Sequence, residues 1–139
     1  MLTSRLLHPE MLGTLARAGH GSQVLIADGN YPFSTRSNPA ATRVFLNLAP
    51  GMVTVTDVLE VLLTAIPVEA ADAMLMDGGM EPPIFADFRR LLPTEIEVAG
   101  RERFDFYNRC KSSDVCLVVA TGEQRLYANI LLTIGVVKP

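Results

Sequence analysis

The sequence lacks tryptophan, and it holds only two cysteines and two histidines among its 139 residues. Two histidines are too few for a multi-histidine metal centre, and no spacing of carboxylates points to a hard-metal site, so we expect no metal ion. Cys110 and Cys116 form neither a disulfide framework nor a zinc motif. Reduced thiols and a cytoplasmic location are therefore expected. The longest strictly apolar run, Val115–Ala120, is far too short to cross a bilayer, so no membrane association is expected.

The charge of the chain is low and evenly mixed. It carries 12 basic and 15 acidic side chains, for a formal net charge of −3. Because the two signs are interspersed, there is no basic stripe for a phosphate backbone or an anionic membrane surface. Glycine-rich nucleotide-binding motifs, the serine-hydrolase G-x-S-x-G and the zinc-protease H-E-x-x-H are also absent. The sequence thus favours none of the nucleic-acid-binding, nucleotide-binding or zinc-hydrolase classes.

Apolar residues, in contrast, are abundant. They make up 49% of the chain, and the mean hydropathy is +0.27, which excludes an intrinsically disordered protein. A chain of 139 residues is long enough to bury one core. The apolar surplus predicts that copies of the chain associate and cover each other's exposed surface.

Hydrophobic periodicity predicts four helices and six strands. The helices are expected from Pro9 to Gly19, from Thr56-Asp57 to Ile66, between Pro82-Pro83 and Pro93, and over Arg101–Cys110. The strands are expected at 24–27, 42–46, 70–76, 96–98, 115–121 and 127–137. This alternation is typical of an α/β fold: a single layered domain over residues 1–139, with a mostly parallel central sheet flanked by helices.

His20 is the first candidate functional residue. It stands between the first helix and the first strand, and the flanking Gly19 and Gly21 let the backbone come close to a ligand. Histidine is the side chain that carries protons near neutral pH. The alternative is a loop histidine that only bonds a nearby carbonyl group. His8 is most simply a helix-entry residue.

Asp28 is the second candidate, because it directly follows the first strand and ligands of such sheets bind at the carboxyl ends of strands. It could bind a sugar hydroxyl or orient His20, whereas Asn30 is typical of a turn. Three arginines lie on or near the fourth helix: Arg101, Arg103 and Arg109. One of them could face a pocket as a hydrogen-bond donor, and solvation at the surface is the alternative.

Tyr127 and Asn129 alternate within a predicted strand, so their side chains are expected to point the same way. A phenol and an amide on an apolar strand are costly to bury without partners. An exposed sheet edge is one explanation, and a polar ligand is the other. Since the strand is near the C-terminus, we expect it at an edge of the sheet, where a neighbouring chain could cover it.

Three motifs resemble the D-ribose pyranase / L-fucose mutarotase family, nearly from end to end of the chain. The first is Gly19-His20-Gly21, followed by an apolar strand that ends in Asp28. The second is Thr121-Gly122-Glu123, which leads into Tyr127-Ala128-Asn129-Ile130. The third, Arg103-Phe104-Asp105-Phe106-Tyr107, is similar to the Arg-Phe-x-Phe-Tyr stretch of the fucose-type branch. The ribose-type branch has a histidine before its last helix, and its absence here favours the fucose-type branch.

The resemblance implies an isomerase, a mutarotase that interconverts forms of a free monosaccharide such as L-fucose or a related sugar. It implies neither a metal nor an organic cofactor. It also implies a homo-oligomeric ring, commonly a decamer, whose active sites lie where adjacent subunits meet. A non-catalytic monosaccharide-binding accessory protein of sugar uptake and a ribose-type pyranase are the alternatives.

The resemblance also assigns roles to individual residues. His20 is expected to be the proton donor, and Tyr127 the second catalytic residue. The substrate-binding set comprises Asp28, Arg103, Tyr127, Ala128 and Asn129. Arg101 is the fallback for Arg103, because the segment after the fourth helix is longer than the family pattern. We expect His20 and Tyr127 of one working site to come from different chains.

Overall fold

The predicted elements are all present in the computed structural model, which describes residues Met1–Pro139. The helices are α1 (Pro9–Arg17), α2 (Val55–Leu62), α3 (Ile84–Leu91) and α4 (Arg103–Cys110). The strands are β1 (Gln23–Ala27), β2 (Thr42–Phe45), β3 (Val68–Met74), β4 (Val98–Arg101), β5 (Val115–Ala120) and β6 (Ile130–Ile134). No helix has the length and apolar character needed to cross a membrane.

All six strands form one sheet in the order β2-β5-β1-β6-β3-β4. The pairs β1–β5, β2–β5 and β3–β4 are parallel, and β6 runs antiparallel to both of its neighbours. The prediction of a single-domain α/β fold with a mostly parallel sheet is confirmed. The predicted edge position of the last strand is wrong, because β6 lies between β1 and β3. Leu131 and Leu132 are fully buried there, and a central position is the one that covers both faces of an apolar strand.

The two faces of the sheet carry separate hydrophobic cores. Helices α1, α2 and α3 pack on one face, where Phe88 and Leu59 meet the side chain of Ile26 in the larger core. Helix α4 and the 28–41 loop cover the other face, where Phe106 packs with Leu25 in the smaller core. Consecutive residues of β1 therefore enter opposite cores, as the pleat of a strand requires. Burial of each such side chain stabilises the fold by about 1.5–3 kcal/mol.

Helix starts are fixed by capping side chains. The Thr54 hydroxyl accepts from the Asp57 amide, and the Asp57 carboxylate accepts from the Thr54 amide, which is a capping box. Helix α2 thus begins slightly earlier than the sequence predicts. At α4 the Glu102 carboxylate accepts from the amides of Phe104 and Asp105. This cap fixes the start of α4, and with it Arg103.

Strand register sorts the loops to two opposite ends of β1. Ile26 pairs with Ile130 and Ala27 with Ala120. The segments 28–30 and 121–129 therefore share one end, which we call the carboxyl edge. At the other end, the Gly21 amide donates to the carbonyl of Ile134 at 2.9 Å. Residues 19–22, the start of β3 and the end of β6 form this second end, which we call the amino edge.

Candidate functional site

Asp28 and Asn129 form a reciprocal pair at the carboxyl edge. The Asp28 amide donates to the Asn129 side-chain carbonyl at 2.8 Å, and the Asn129 amide donates to Asp28 Oδ2 at 3.1 Å. The same carboxylate accepts from the backbone amides of Ala128 at 3.2 Å and Asn30 at 2.9 Å. The antiparallel pairing of β1 with β6 brings Asp28 and Asn129 together although they are 101 positions apart. The pair fixes one wall of the candidate site.

The carboxylate of Asp28 is only 3% exposed. Burial raises the pKa of Asp28 above its ordinary value of 3.8, and the hydrogen bonds from Asn30, Ala128 and Asn129 oppose that rise. The groups around this carboxylate place it as a hydrogen-bond acceptor. A sugar hydroxyl is a donor that could join the set.

Tyr127 does not lie on a strand, in contrast to the prediction. It belongs to the loop before β6, and its backbone φ is +61°. The predicted alternation of Tyr127 with Asn129 on one strand face is therefore wrong, because Asn129 is held by Asp28 and β6 begins only at Ile130. The two side chains nevertheless line the same cleft.

Of the three candidate arginines, Arg109 does not line the cleft, and the structure distinguishes between the other two. The Arg101 Nε donates to Asp72 at 2.6 Å, and this ion pair holds Arg101 outside the cleft. Arg103, at the start of α4, lines the cleft. Its Nε is buried and has no hydrogen-bond partner in the chain, and its ion pair with the exposed Asp77 is long, at 3.6 Å. Arg103 therefore has donor capacity left for a ligand.

These side chains enclose a cleft of about 240 Å³. Its polar walls are the Asp28 carboxylate, the Asn129 amide, the Arg103 guanidinium and the phenols of Tyr31, Tyr107 and Tyr127. Tyr31 donates its hydroxyl to the Arg36 carbonyl at 2.6 Å and packs edge-on against Tyr107 at 5.5 Å. The cleft thus offers a charged acceptor, an amide, a charged donor and aromatic walls, which is a set suited to a small polyhydroxylated ligand.

His20 lies at the amino edge, away from this cleft. Its Nε2 is 3.0 and 2.9 Å from the two carboxylate oxygens of Glu69, at the start of β3. The imidazole is 60% exposed. Its partner is thus a carboxylate, and not the carbonyl group that the alternative interpretation supposed. The protein presents this hydrogen-bonded pair to the solvent.

The distance between His20 and the cleft follows from the length of β1. The four residue steps of Gln23–Ala27 span about 13 Å, at about 3.3 Å per residue, and His20 and Asp28 lie beyond the two ends. The structure therefore brings together Asp28, Arg103, Tyr127, Ala128 and Asn129, and it leaves His20 apart. Within one chain Asp28 does not orient His20, since Glu69 occupies that position.

Two features of the site escape sequence reasoning. Glu69 is one charged residue directly before a predicted strand, and nothing local marks it as the partner of a histidine 49 positions away. Tyr31 and Tyr107 join the cleft through the packing of α4 against the 28–41 loop. The aromatic stretch Arg103-Phe104-Asp105-Phe106-Tyr107 of the fourth helix is the one available signal.

The fold and the composition of the cleft can be compared with known proteins. The chain belongs to the RbsD / FucU transport protein family, whose model matches residues 1–137. This result confirms the resemblance found in the sequence motifs.

Individual proteins show which members of the family this chain is similar to. A fucose mutarotase of Bos taurus is 35% identical over 149 aligned residues, which cover 96% of this chain and 92% of the relative. A D-ribose pyranase of Paracidovorax citrulli is 32% identical over 140, covering 98% of each. The crystal structure of the fucose mutarotase from Streptococcus pneumoniae in complex with L-fucose has a TM-score of 0.81 at 28% identity, covering 99% of this chain and 100% of that one.

Proposed function

We propose that this protein is a monosaccharide mutarotase, an isomerase that interconverts the anomers of a free aldose, with L-fucose or a related sugar as substrate. The observation that carries the proposal is the cleft, in which Asp28, Asn129, Arg103 and Tyr127 converge. Membership of the family, with fucose mutarotases among the relatives, supports the sugar assignment.

The chemistry requires only proton transfers. Opening a pyranose removes a proton from the anomeric hydroxyl and delivers one to the ring oxygen, and closure on the other face reverses both. No redox step is involved, so the reaction needs no cofactor. In this proposal Asp28, Arg103, Asn129 and the Ala128 backbone hold the sugar. His20 gives a proton to the ring oxygen. Tyr127 hydrogen-bonds the anomeric hydroxyl, whose proton passes to solvent water. Positioned acid–base groups contribute about 10²–10⁴-fold each.

A working site in this scheme needs two chains. His20 and the cleft lie at opposite ends of β1, so the His20 of one subunit has to approach the cleft of the next. Exposed apolar side chains are available for such an interface at both ends. Met80, Phe104 and Leu126 are exposed on the side of the cleft, and Val136 and Val137 follow β6 at the amino edge. Repeating this head-to-tail contact generates a ring, and we propose a decamer.

The ribose-type pyranase is the second candidate, and the identity with a D-ribose pyranase favours it. Both reactions use the same ring opening and differ in the sugar and in the ring that closes. We place the activity in the cytoplasm, where the free thiols of Cys110 and Cys116 remain reduced.

The test is anomer exchange followed by NMR. Saturating the α-anomeric proton of L-fucose should lower the β-anomeric signal when a trace of protein is present, and a parallel sample with D-ribose ranks the two candidates. Binding without transfer of saturation would indicate a non-catalytic sugar-binding accessory protein and would contradict the proposal. Light scattering on the same sample should give the mass of a large ring. A monomer at micromolar concentration would contradict the shared site.

A further inference from the structure

Tyr127 holds an unusual backbone conformation. Its φ of +61° is the only positive value at a residue other than glycine. The left-handed region is disfavoured for a residue with a Cβ atom, and bulky side chains are rarely found there. Such a conformation persists only when the surrounding structure over-determines it.

On the C-terminal side the restraint is the pair already described. The Ala128 amide donates to Asp28 Oδ2, and the Asn129 side chain bonds the same carboxylate. These bonds fix the peptide that follows Tyr127. They belong to the wall of the cleft that Asp28 and Asn129 form, and they restrain the backbone on one side of Tyr127 only.

On the N-terminal side the restraint is Arg125. Its guanidinium makes a two-pronged ion pair with Glu123, with Nε to Oε1 at 3.0 Å and Nη2 to Oε2 at 2.7 Å. Its Nη1 donates to Asp87 Oδ2, on helix α3, at 2.9 Å. Its Nη2 also reaches the Thr56 hydroxyl on α2 at 3.3 Å. Arg125 thus connects the Tyr127 loop to two helices.

The acceptor of this ion pair is itself firmly held. Glu123 is 4% exposed, and its Oε2 accepts from the Val55 amide in the first turn of α2 at 3.3 Å. Its own amide donates to the Thr121 hydroxyl, which in turn donates to the Ala27 carbonyl. A bidentate ion pair between planar groups fixes orientation as well as distance. Arg125 is therefore fixed relative to the sheet and to α2.

We propose that Arg125 is a positioning residue for Tyr127. By clamping the loop to Glu123 and Asp87, it holds Tyr127 in the left-handed conformation that directs the phenol into the cleft. Arg125 itself does not line the cleft that holds Asp28 and Asn129. The catalytic consequence rests on the proposed mutarotase function, whereas the conformational effect does not.

The test compares four variants with the wild type. Arg125→Met keeps a long apolar stem and removes every charged contact, and Arg125→Lys restores a single charge without the planar fork. Asp87→Asn weakens the contact of Arg125 with α3, together with the exposed pair of Asp87 and Arg90. Arg89→Met is the matched control, because Arg89 lies on α3 and pairs with Glu81 at 2.6 Å without touching the Tyr127 loop.

The first measurement is the backbone NMR signal of Tyr127 in the absence of sugar. We expect Arg125→Met to move the Tyr127 amide and Cα resonances, with a smaller shift in Asp87→Asn and none in Arg89→Met. Resonances of β1 and β6 should stay in place. Unchanged Tyr127 resonances in Arg125→Met overturn the proposal, whether or not the protein is active. If Arg125→Met does not fold, unchanged resonances in both Arg125→Lys and Asp87→Asn overturn it.

The second measurement is anomer exchange. We expect kcat to fall about tenfold in Arg125→Met, since a displacement of the order of 1 Å at a catalytic group costs up to 10²-fold. KM should change little, because Asp28, Arg103 and Asn129 still bind the sugar, and Arg125→Lys should recover part of kcat. A fall in kcat of equal size in Arg89→Met would contradict the role of Arg125. A wild-type protein without exchange activity would contradict the proposed function and leave the NMR result standing.

Discussion

The imidazole of His20 and the carboxylate of Glu69 form a hydrogen-bonded pair at the amino edge of the sheet, with Nε2 within 3.0 Å of both oxygens. Both side chains are exposed, at 60% and 44%. The contact engages one ring nitrogen and leaves Nδ1 for another partner. In many active sites a neighbouring group holds the general acid or base in its orientation. Here the histidine and its carboxylate partner lie on the surface of the chain, so a substrate or a second subunit would have to approach them from outside.

Replacing His20 by alanine should lower anomer exchange by at least ~10²-fold, because a general acid is lost. Sugar binding and thermal stability should stay close to those of the wild type, since the side chain is exposed in its own chain and is not one of the groups proposed to hold the sugar. His8→Ala is the matched control, because the only role of His8 seen here is to accept from the Met11 amide at the start of α1. Equal exchange rates in His20→Ala and the wild type would refute the assignment.

Glu69→Gln keeps the size of the side chain and removes its charge. We expect kcat for anomer exchange to fall about tenfold, because the imidazole loses the group that orients it, while sugar affinity is unchanged. Glu60→Gln serves as the control, since Glu60 forms an exposed pair with Arg5 far from His20 in the sequence. If the two variants have the same kcat, the carboxylate is only a surface partner of the histidine.

Asp28→Asn tests the wall of the cleft. The carboxylate accepts three hydrogen bonds, from Asn30, Ala128 and Asn129, and an amide would turn an NH₂ group toward one of these donors. The free energy of unfolding should fall by about 1–3 kcal/mol, the cost of an unmade buried hydrogen bond, and KM should rise. Denaturant titration measures the first effect. Asp114→Asn, at an exposed position, is the control. Equal free energies of unfolding for the two variants would contradict the prediction.

The buried contact of Glu123 with Arg125 predicts a specific pH dependence of the protein's stability. Burial opposes its ionisation, but the hydrogen bonds and charge of Arg125 outweigh burial and lower the pKa of Glu123 below its ordinary value of 4.5. A lowered folded-state pKa stabilises the protein above the unfolded-state pKa, and that contribution is lost as the pH falls through the folded-state pKa.

The measurement is the difference in free energy of unfolding between the wild type and Glu123→Gln. It should be constant from pH 7 down to about 4.5 and should shrink at lower pH, where the wild-type carboxylate becomes protonated. Glu95→Gln, at an exposed position, should show no such trend. A difference for Glu123→Gln that stays constant down to pH 3 would argue against the buried ion pair.

The sequence was most informative where local chemistry decides the structure. Buried strands such as β1 and β5 are short apolar runs between turn residues, and α3 lies between the prolines at 82–83 and 93. Asp28 was recognisable because it directly follows β1. These features depend on neighbours along the chain, and a pattern of residue types records them.

The sequence was least informative where distant segments meet. The central position of β6 depends on antiparallel pairing with both β1 and β3, and the apolar run that begins at Ile130 gives no sign of its neighbours. The positive φ of Tyr127 results from anchors at Arg125 and Asp28, so a pattern of alternation misplaced it on a strand. The partnership of His20 with Glu69 likewise arises from the fold.

The shared site is the central claim, and mixing two inactive variants tests it most directly. His20→Ala and Tyr127→Phe are dissociated, combined in equal amounts and reassembled, and anomer exchange is measured by saturation transfer. If His20 and Tyr127 of one site come from different chains, random assortment leaves both wild-type residues at about one site in four. We therefore predict recovery of about a quarter of the wild-type rate. No recovery, although mass spectrometry shows mixed oligomers, would contradict the shared site and place the working pocket within one chain.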